Sequence, residues 1–171
     1  MAQAPLAREV LEQWPADWRI LLSVYGATRV LGGGVALGYA VQAVLALGAV
    51  AVLGGVAARR PGGVPEMATL AAAALFATPY GMDYDLPDLL LPAAWIAAEA
   101  QRESWRSWEK VTLAAAFVLP LFVRASALLL GVPIAPPVLA AMLWLTARRA
   151  STGSGDVSPA WSRGSAPGLF P

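Results

Sequence analysis

Two stretches of this chain carry no charged side chain, Val30 to Ala58 and Ala125 to Ala147. They limit its possible folds more than any other feature. As helix, at about 1.5 Å per residue, each is long enough to cross roughly 30 Å of hydrocarbon. Three shorter apolar runs accompany them, and a soluble domain of 171 residues has no interior large enough to hide all five. Charged residues are only 13% of the chain, about half the usual share. The apolar excess lies in Ala, Leu, Val and Gly, not in the aromatic and β-branched mix that strands prefer. The expectation is therefore all-α: a polytopic membrane helix bundle of about five transmembrane helices.

The boundaries follow from charges and turn residues. Residues 1–29 alternate apolar positions (Leu6, Val10, Leu11, Trp14, Trp18, Leu21, Leu22) with charges. That pattern suits an external amphipathic segment on the membrane surface, and its charges rule out a signal peptide. The bundle then occupies residues 30–149, with spans expected at about 31–58, 66–82, 85–100, 111–130 and 133–147. Arg59-Arg60-Pro61-Gly62-Gly63 and the basic, Trp-containing loop from Gln101 to Lys110 punctuate it. Residues 150–171, rich in Ser, Gly and Pro, read as a disordered cytoplasmic tail.

Orientation follows from Lys and Arg in the short loops. If the first span ends in the cytoplasm, Arg59, Arg60, Arg102, Arg106, Lys110, Arg148, Arg149 and Arg163 lie inside, against Arg8, Arg19, Arg29 and Arg124 outside. This distribution favours an external amino terminus and a cytoplasmic carboxy terminus. An external segment without a signal sequence needs earlier spans to deliver it, so the chain is expected to behave as the end of a longer protein.

The absence of histidine and cysteine removes thiolate nucleophiles, Ser-His triads and nearly every zinc site. Acid–base chemistry falls to Asp, Glu, Tyr, Lys or Arg, and neither metal nor cofactor is expected. A net charge of +1 offers no basic face for nucleic acid.

The strongest local feature is Thr78-Pro79-Tyr80-Gly81-Met82-Asp83-Tyr84-Asp85-Leu86-Pro87-Asp88. It places three carboxylates and two tyrosines where membrane helices meet water. Such acids serve as a general base, bind a cation, or hydrogen-bond sugar hydroxyls. They also cap helices, while tyrosines populate the interfacial belt. Asp83, Tyr84, Asp85 and Tyr80 are the substrate-binding candidates. Arg124 and Arg29 are the candidates for a lipid phosphate. Arg124 can snorkel to external head groups, pair with the Asp83–Asp88 cluster, or grip the phosphate. Arg29, ahead of Leu31-Gly32-Gly33-Gly34, is either a flanking charge or part of an anion site at a helix start.

The run Thr78-Pro79-Tyr80 … Asp83-Tyr84-Asp85-Leu86, followed by an apolar helix, resembles the carboxy-terminal region of glycosyltransferase family 87. Ser23-Val24-Tyr25-Gly26-Ala27-Thr28-Arg29-Val30-Leu31-Gly32, Trp108-Glu109-Lys110 and the Pro120 helix closing on Arg124 fit the same region. The likeness covers about residues 20–149. It implies the carboxy-terminal part of a GT-C-type membrane enzyme of the bacterial inner membrane, similar to polyprenyl-phosphate-mannose α-mannosyltransferases. It also implies transfer of a hexose from a polyprenyl-phosphate donor to an acceptor hydroxyl on the external face. Such enzymes carry a catalytic Asp in a first external loop, and nothing here matches that loop. The resemblance therefore places the base upstream of this chain, leaves its own catalytic residues unknown, and implies little or no activity without a membrane polypeptide supplying the missing spans. A transporter or channel fragment and a non-catalytic scaffold are the competing readings. The first is disfavoured by the lack of a charge near any span's midplane.

Overall fold

The computed structural model describes residues 21–152. The amphipathic reading of residues 1–20 and the tail reading of residues 153–171 lie outside that range. Every element among the described residues is helical. In chain order these are α1 (Val24–Val30), α2 (Val35–Arg59), α3 (Val64–Ala77), a 3₁₀ segment (Asp83–Leu89), α4 (Leu90–Glu103), α5 (Glu109–Leu129) and α6 (Ala135–Thr152).

Helix α3 is the hub, packed against α2, α4, α6 and the 3₁₀ segment. Its alanines explain why. Ala68, Ala72 and Ala73 are buried with Leu75 and Phe76, and side chains this small let three neighbouring helices approach together. Thr69 is also buried, its hydroxyl donating to the Pro65 carbonyl at 2.7 Å. Helix α6 contributes Leu139, Met142, Leu143 and Leu145 to the same core.

Among the described residues, α2 and α5 alone are long and apolar enough to cross a membrane. The expected five-span division is finer than the structure supports. The runs at 66–82 and 85–100 are each shorter as helix than expected. Helix α3 stops at Ala77 because Pro79 forces Thr78 into extended backbone (φ −73°, ψ 130°). The residues from Asp83 to Leu89 wind as 3₁₀ around Pro87, so α4 begins at Leu90. At 14 residues each, α3 and α4 span about 21 Å, short of a hydrocarbon core. Helix α6 continues to Thr152, past the expected boundary at 149.

Helix α2 begins at Val35, after a turn in which Gly32 takes a left-handed φ of 88°. It buries one narrow seam, Gly38, Gln42, Ala49 and Val56, flanked by half-buried Tyr39 and Leu53, and leaves most of its apolar circumference exposed. Ser23 caps the start of α1, its hydroxyl accepting from the Gly26 N–H at 3.1 Å, and α1 packs against α2. Leu22 and Tyr25 are almost wholly buried. A Cβ on Gly38 would lie 2.8 Å from the Tyr25 ring, so glycine is what admits α1 there.

The side-chain pairings define two ends. At one end, Arg149 meets Glu109 and the Ser104 carbonyl, and Arg106 meets Thr152. At the other, the loop before the 3₁₀ segment is held by the Leu22 N–H donating to the Gly81 carbonyl at 2.8 Å.

Candidate functional site

The loop 78–82 and the 3₁₀ segment place the acidic residues, and each acid ends in a different role. Asp85 turns back on its own chain: its Oδ2 accepts from the Met82 N–H at 2.9 Å while its own N–H donates to the Met82 carbonyl at 2.9 Å. This is the helix-start arrangement that satisfies an otherwise unpaired donor. Asp83 is partly exposed, and its Oδ2 lies 3.8 Å from Nη1 of Arg124 on α5. Asp88 is exposed, as are Tyr80 and Tyr84. Among the described residues, no group of three or more acids is placed to hold a metal ion.

Beside this cluster, α4 and α5 diverge to leave a groove of about 610 Å³. Its α4 wall is Leu90, Ala93, Ala94 and Ala97, its α5 wall Leu113, Ala116, Phe117 and Pro120, and Asp83 and Tyr84 line it too. The α4 positions repeat at helical spacing on one face, and the alanines there leave the space. The 3₁₀ segment closes the groove with Tyr84 and Pro87, and with Leu86 and Leu89, which are buried against the core. Arg124 stands one helical turn past Pro120 on the same face of α5. The result is an apolar trough whose polar residues are Asp83 and Tyr84, with the guanidinium of Arg124 held beside them.

Of the residues singled out from sequence, the structure brings together Asp83, Tyr84 and Arg124. Asp85 is engaged locally, and Tyr80 does not line the groove. Arg29 sits in the last turn of α1, on the segment folded against α2, and does not line the groove either.

Two polar features of the interior escaped the sequence reading. One is Gln42, buried within the charge-free run of α2. Its Oε1 accepts from the Tyr25 N–H at 3.0 Å, and its Nε2 donates to the Ala77 carbonyl at 2.9 Å and the Phe76 carbonyl at 3.3 Å. One amide thus caps the start of α1 and the end of α3. The signal was its identity, the one side-chain amide in a run otherwise of apolar residues, glycine and Tyr39. The other is the Glu109–Arg149 pair, whose members are 1% and 2% exposed. Arg149 donates to Glu109 through Nε at 2.5 Å and Nη2 at 2.7 Å.

No family model, curated protein or solved structure matches this chain.

Proposed function

We propose that this chain lies in a bilayer as a polytopic helix bundle and forms the carboxy-terminal portion of a hexosyltransferase that uses a polyprenyl-phosphate sugar. Membrane residence is supported by how little α2 and α5 are buried. Only 17% and 28% of their most apolar windows lie inside the protein, whereas the core helix of a soluble protein is mostly covered. Leu47 is 70% and Phe117 81% exposed. Each Å² of such surface costs about 25 cal/mol in water and nothing comparable in hydrocarbon. Gln42 agrees with that solvent, because helix ends in lipid must find partners within the protein. The positive-inside rule then puts the Arg59, Arg102 and Arg149 end in the cytoplasm and the Asp83–Arg124 end outside.

The observation that carries the transfer reading is the apolar groove with a charged mouth. A polyprenyl phosphate is an apolar chain with an anionic head. The groove fits the isoprenoid chain nearest the phosphate, Arg124 neutralises the phosphate, and Asp83 and Tyr84 are placed to hydrogen-bond sugar hydroxyls. Preorganised positive charge at a departing phosphate is a large source of catalytic stabilisation. The base stays assigned to upstream spans, so this chain's share is donor binding. An ion-path reading has less support, because the polar residue within α2, Gln42, is already saturated by hydrogen bonds.

Photolabelling tests this directly. Protein reconstituted in phosphatidylcholine and irradiated with a benzophenone-bearing polyprenyl phosphate is expected to label peptides spanning residues 83–97 and 113–124. Ala94→Trp, which fills the groove, is expected to cut labelling at least fivefold. Labelling that spreads evenly over α2, or that survives Ala94→Trp, removes the groove as a donor site.

A further inference from the structure

At the opposite end, α2 and α6 part to leave a shallow cleft of about 560 Å³. Its floor is the small and aliphatic surface of Val52, Gly55 and Ala147, and its rim carries Arg59, Arg148 and Trp144. These two arginines differ from Arg102, Arg106 and Arg149 at the same end. Arg102 pairs with Glu99, Arg106 with Glu103, and Arg149 with Glu109. Among the described residues, no carboxylate comes within ion-pair distance of Arg59 or Arg148. Arg59 donates through Nη1 to the Gly55 carbonyl at 2.9 Å, which holds the exposed side chain at the end of the helix. Arg148 lies over the Trp144 ring at 5.2 Å, a stacking that orients the guanidinium and leaves its donors unused. Both helices end here, and their carboxy-terminal carbonyls favour cations at these positions.

We propose that this cleft binds an anionic phospholipid of the cytoplasmic leaflet. Its phosphate would lie between Arg59 and Arg148, and its glycerol and first acyl carbons would lie along Val52 and Gly55. The inference rests on the membrane placement of the chain but not on glycosyl transfer. Charge complementarity selects the occupant: two cations without acidic partners, an apolar floor continuous with the exposed face of α2, and a tryptophan at the level where indole rings meet head groups. Basic pockets between membrane helices on the cytoplasmic side recognise anionic head groups in this way.

Quenching of tryptophan emission by brominated lipids provides the test on the full chain in mixed micelles. Because the protein has 7 tryptophans, the Trp144 contribution is taken as the difference between wild type and Trp144→Phe. Dibromo-phosphatidylglycerol is expected to quench that component at a concentration well below that needed for dibromo-phosphatidylcholine. Each arginine replaced by Gln should raise the required concentration about fivefold, and Arg59→Gln/Arg148→Gln together should erase the preference. Arg59→Lys/Arg148→Lys should keep most of it, which separates loss of charge from loss of fold. Inorganic phosphate at millimolar concentration should leave the quenching unchanged. Equal quenching by both lipids, a preference that survives the double Gln variant, or displacement by inorganic phosphate overturns the proposal. If neither lipid quenches, the membrane placement falls with it. If phosphatidylcholine quenches and phosphatidylglycerol gains nothing, only the lipid site falls.

Discussion

Two ion pairs stand at opposite ends of this bundle, and they are built for different work. Glu109–Arg149 is two-pronged and sealed from solvent. Its carboxylate also accepts the Arg106 N–H at 2.8 Å, and its guanidinium reaches the Ser104 carbonyl at 2.9 Å. Asp83–Arg124 is held at 3.8 Å, with the arginine 60% and the aspartate 41% exposed. The first pair has committed most of its hydrogen bonds to the protein: Nε and Nη2 of Arg149 are engaged, and its buried Nη1 faces Glu103 Oε2 at 3.8 Å. The second keeps most of its donors and acceptors for something else. A charge committed to architecture and a charge available to a ligand are thus distinguished by what already satisfies them, not by residue type.

The sealed pair fixes the loop between α4 and α5. That loop contains two non-glycine residues with positive φ, Ser104 at 110° and Trp108 at 73°, conformations that cost about 1–3 kcal/mol each and persist only where surrounding contacts enforce them. Arg149→Ala would strip the contact at Ser104 and leave Glu109 buried without its counter-charge. The expected loss is about 3–5 kcal/mol of stability, the largest effect of any substitution considered, read as the shift in an unfolding titration in micelles. Glu109→Gln/Arg149→Met should be less destabilised than Arg149→Ala alone, because the stranded charge is gone. If the double variant is instead as unstable as the sum of its single changes, the two side chains are not coupled and the contrast between the ends fails.

Gln42 stands between these extremes, neutral but fully engaged. Gln42→Leu leaves the Tyr25 N–H and the Ala77 carbonyl without their partner, at a cost of about 1 kcal/mol per group, the low end for a buried donor or acceptor. The expected loss is about 2 kcal/mol in all, with α1 released first. Proteolysis near Ser23 should therefore accelerate at least tenfold before the remainder of the bundle unfolds. Simultaneous loss of the whole protein's resistance would show that α1 is an integral part of the cooperative unit.

These cases show what could be read from the sequence and what could not. The charge-free run from Val30 to Ala58 pointed to α2, because length without charge is a property of a segment by itself; the run from Ala125 to Ala147 is instead divided between the end of α5 and α6, and α5 is long and apolar enough to span despite carrying Glu109, Lys110 and Arg124. Pro79 and Pro87 marked the turn between α3 and α4, but not that a 3₁₀ segment would consume residues 83–89 and shorten α4. That depends on Leu86 and Leu89 finding the core. Pairing of Arg124 with the acidic cluster was one of three roles its position allowed, and only packing chooses among them. Glu109 and Arg149 are 40 residues apart and each looked like a charge flanking a span. Nothing local distinguishes a flanking charge that enters solvent from one that another helix covers. Asp85 shows the reverse: a motif residue with an attractive chemical role whose carboxylate is claimed by a backbone N–H three residues away.

The smallest stability effect belongs to the exposed pair, and it is where the functional effect should be largest. A pair this open contributes at most about 1 kcal/mol, since water and salt screen it. Arg124→Ala should therefore unfold within about 1 kcal/mol of wild type while polyprenyl-phosphate labelling falls at least tenfold. Asp83→Asn keeps an acceptor and a similar shape but frees the guanidinium from its partner. If Asp83 mainly steadies Arg124, then Asp83→Asn should weaken labelling modestly and Arg124→Lys should recover only part of it, because an ammonium lacks the planar fork that grips a phosphate. If Asp83 binds sugar hydroxyls instead, Asp83→Asn should leave labelling by the unglycosylated lipid unchanged and weaken competition by the sugar-bearing lipid alone. An Arg124→Ala variant that unfolds as readily as Arg149→Ala, or that labels like wild type, would place both ion pairs in the same architectural role and remove the reason to look for a ligand at the Asp83 end.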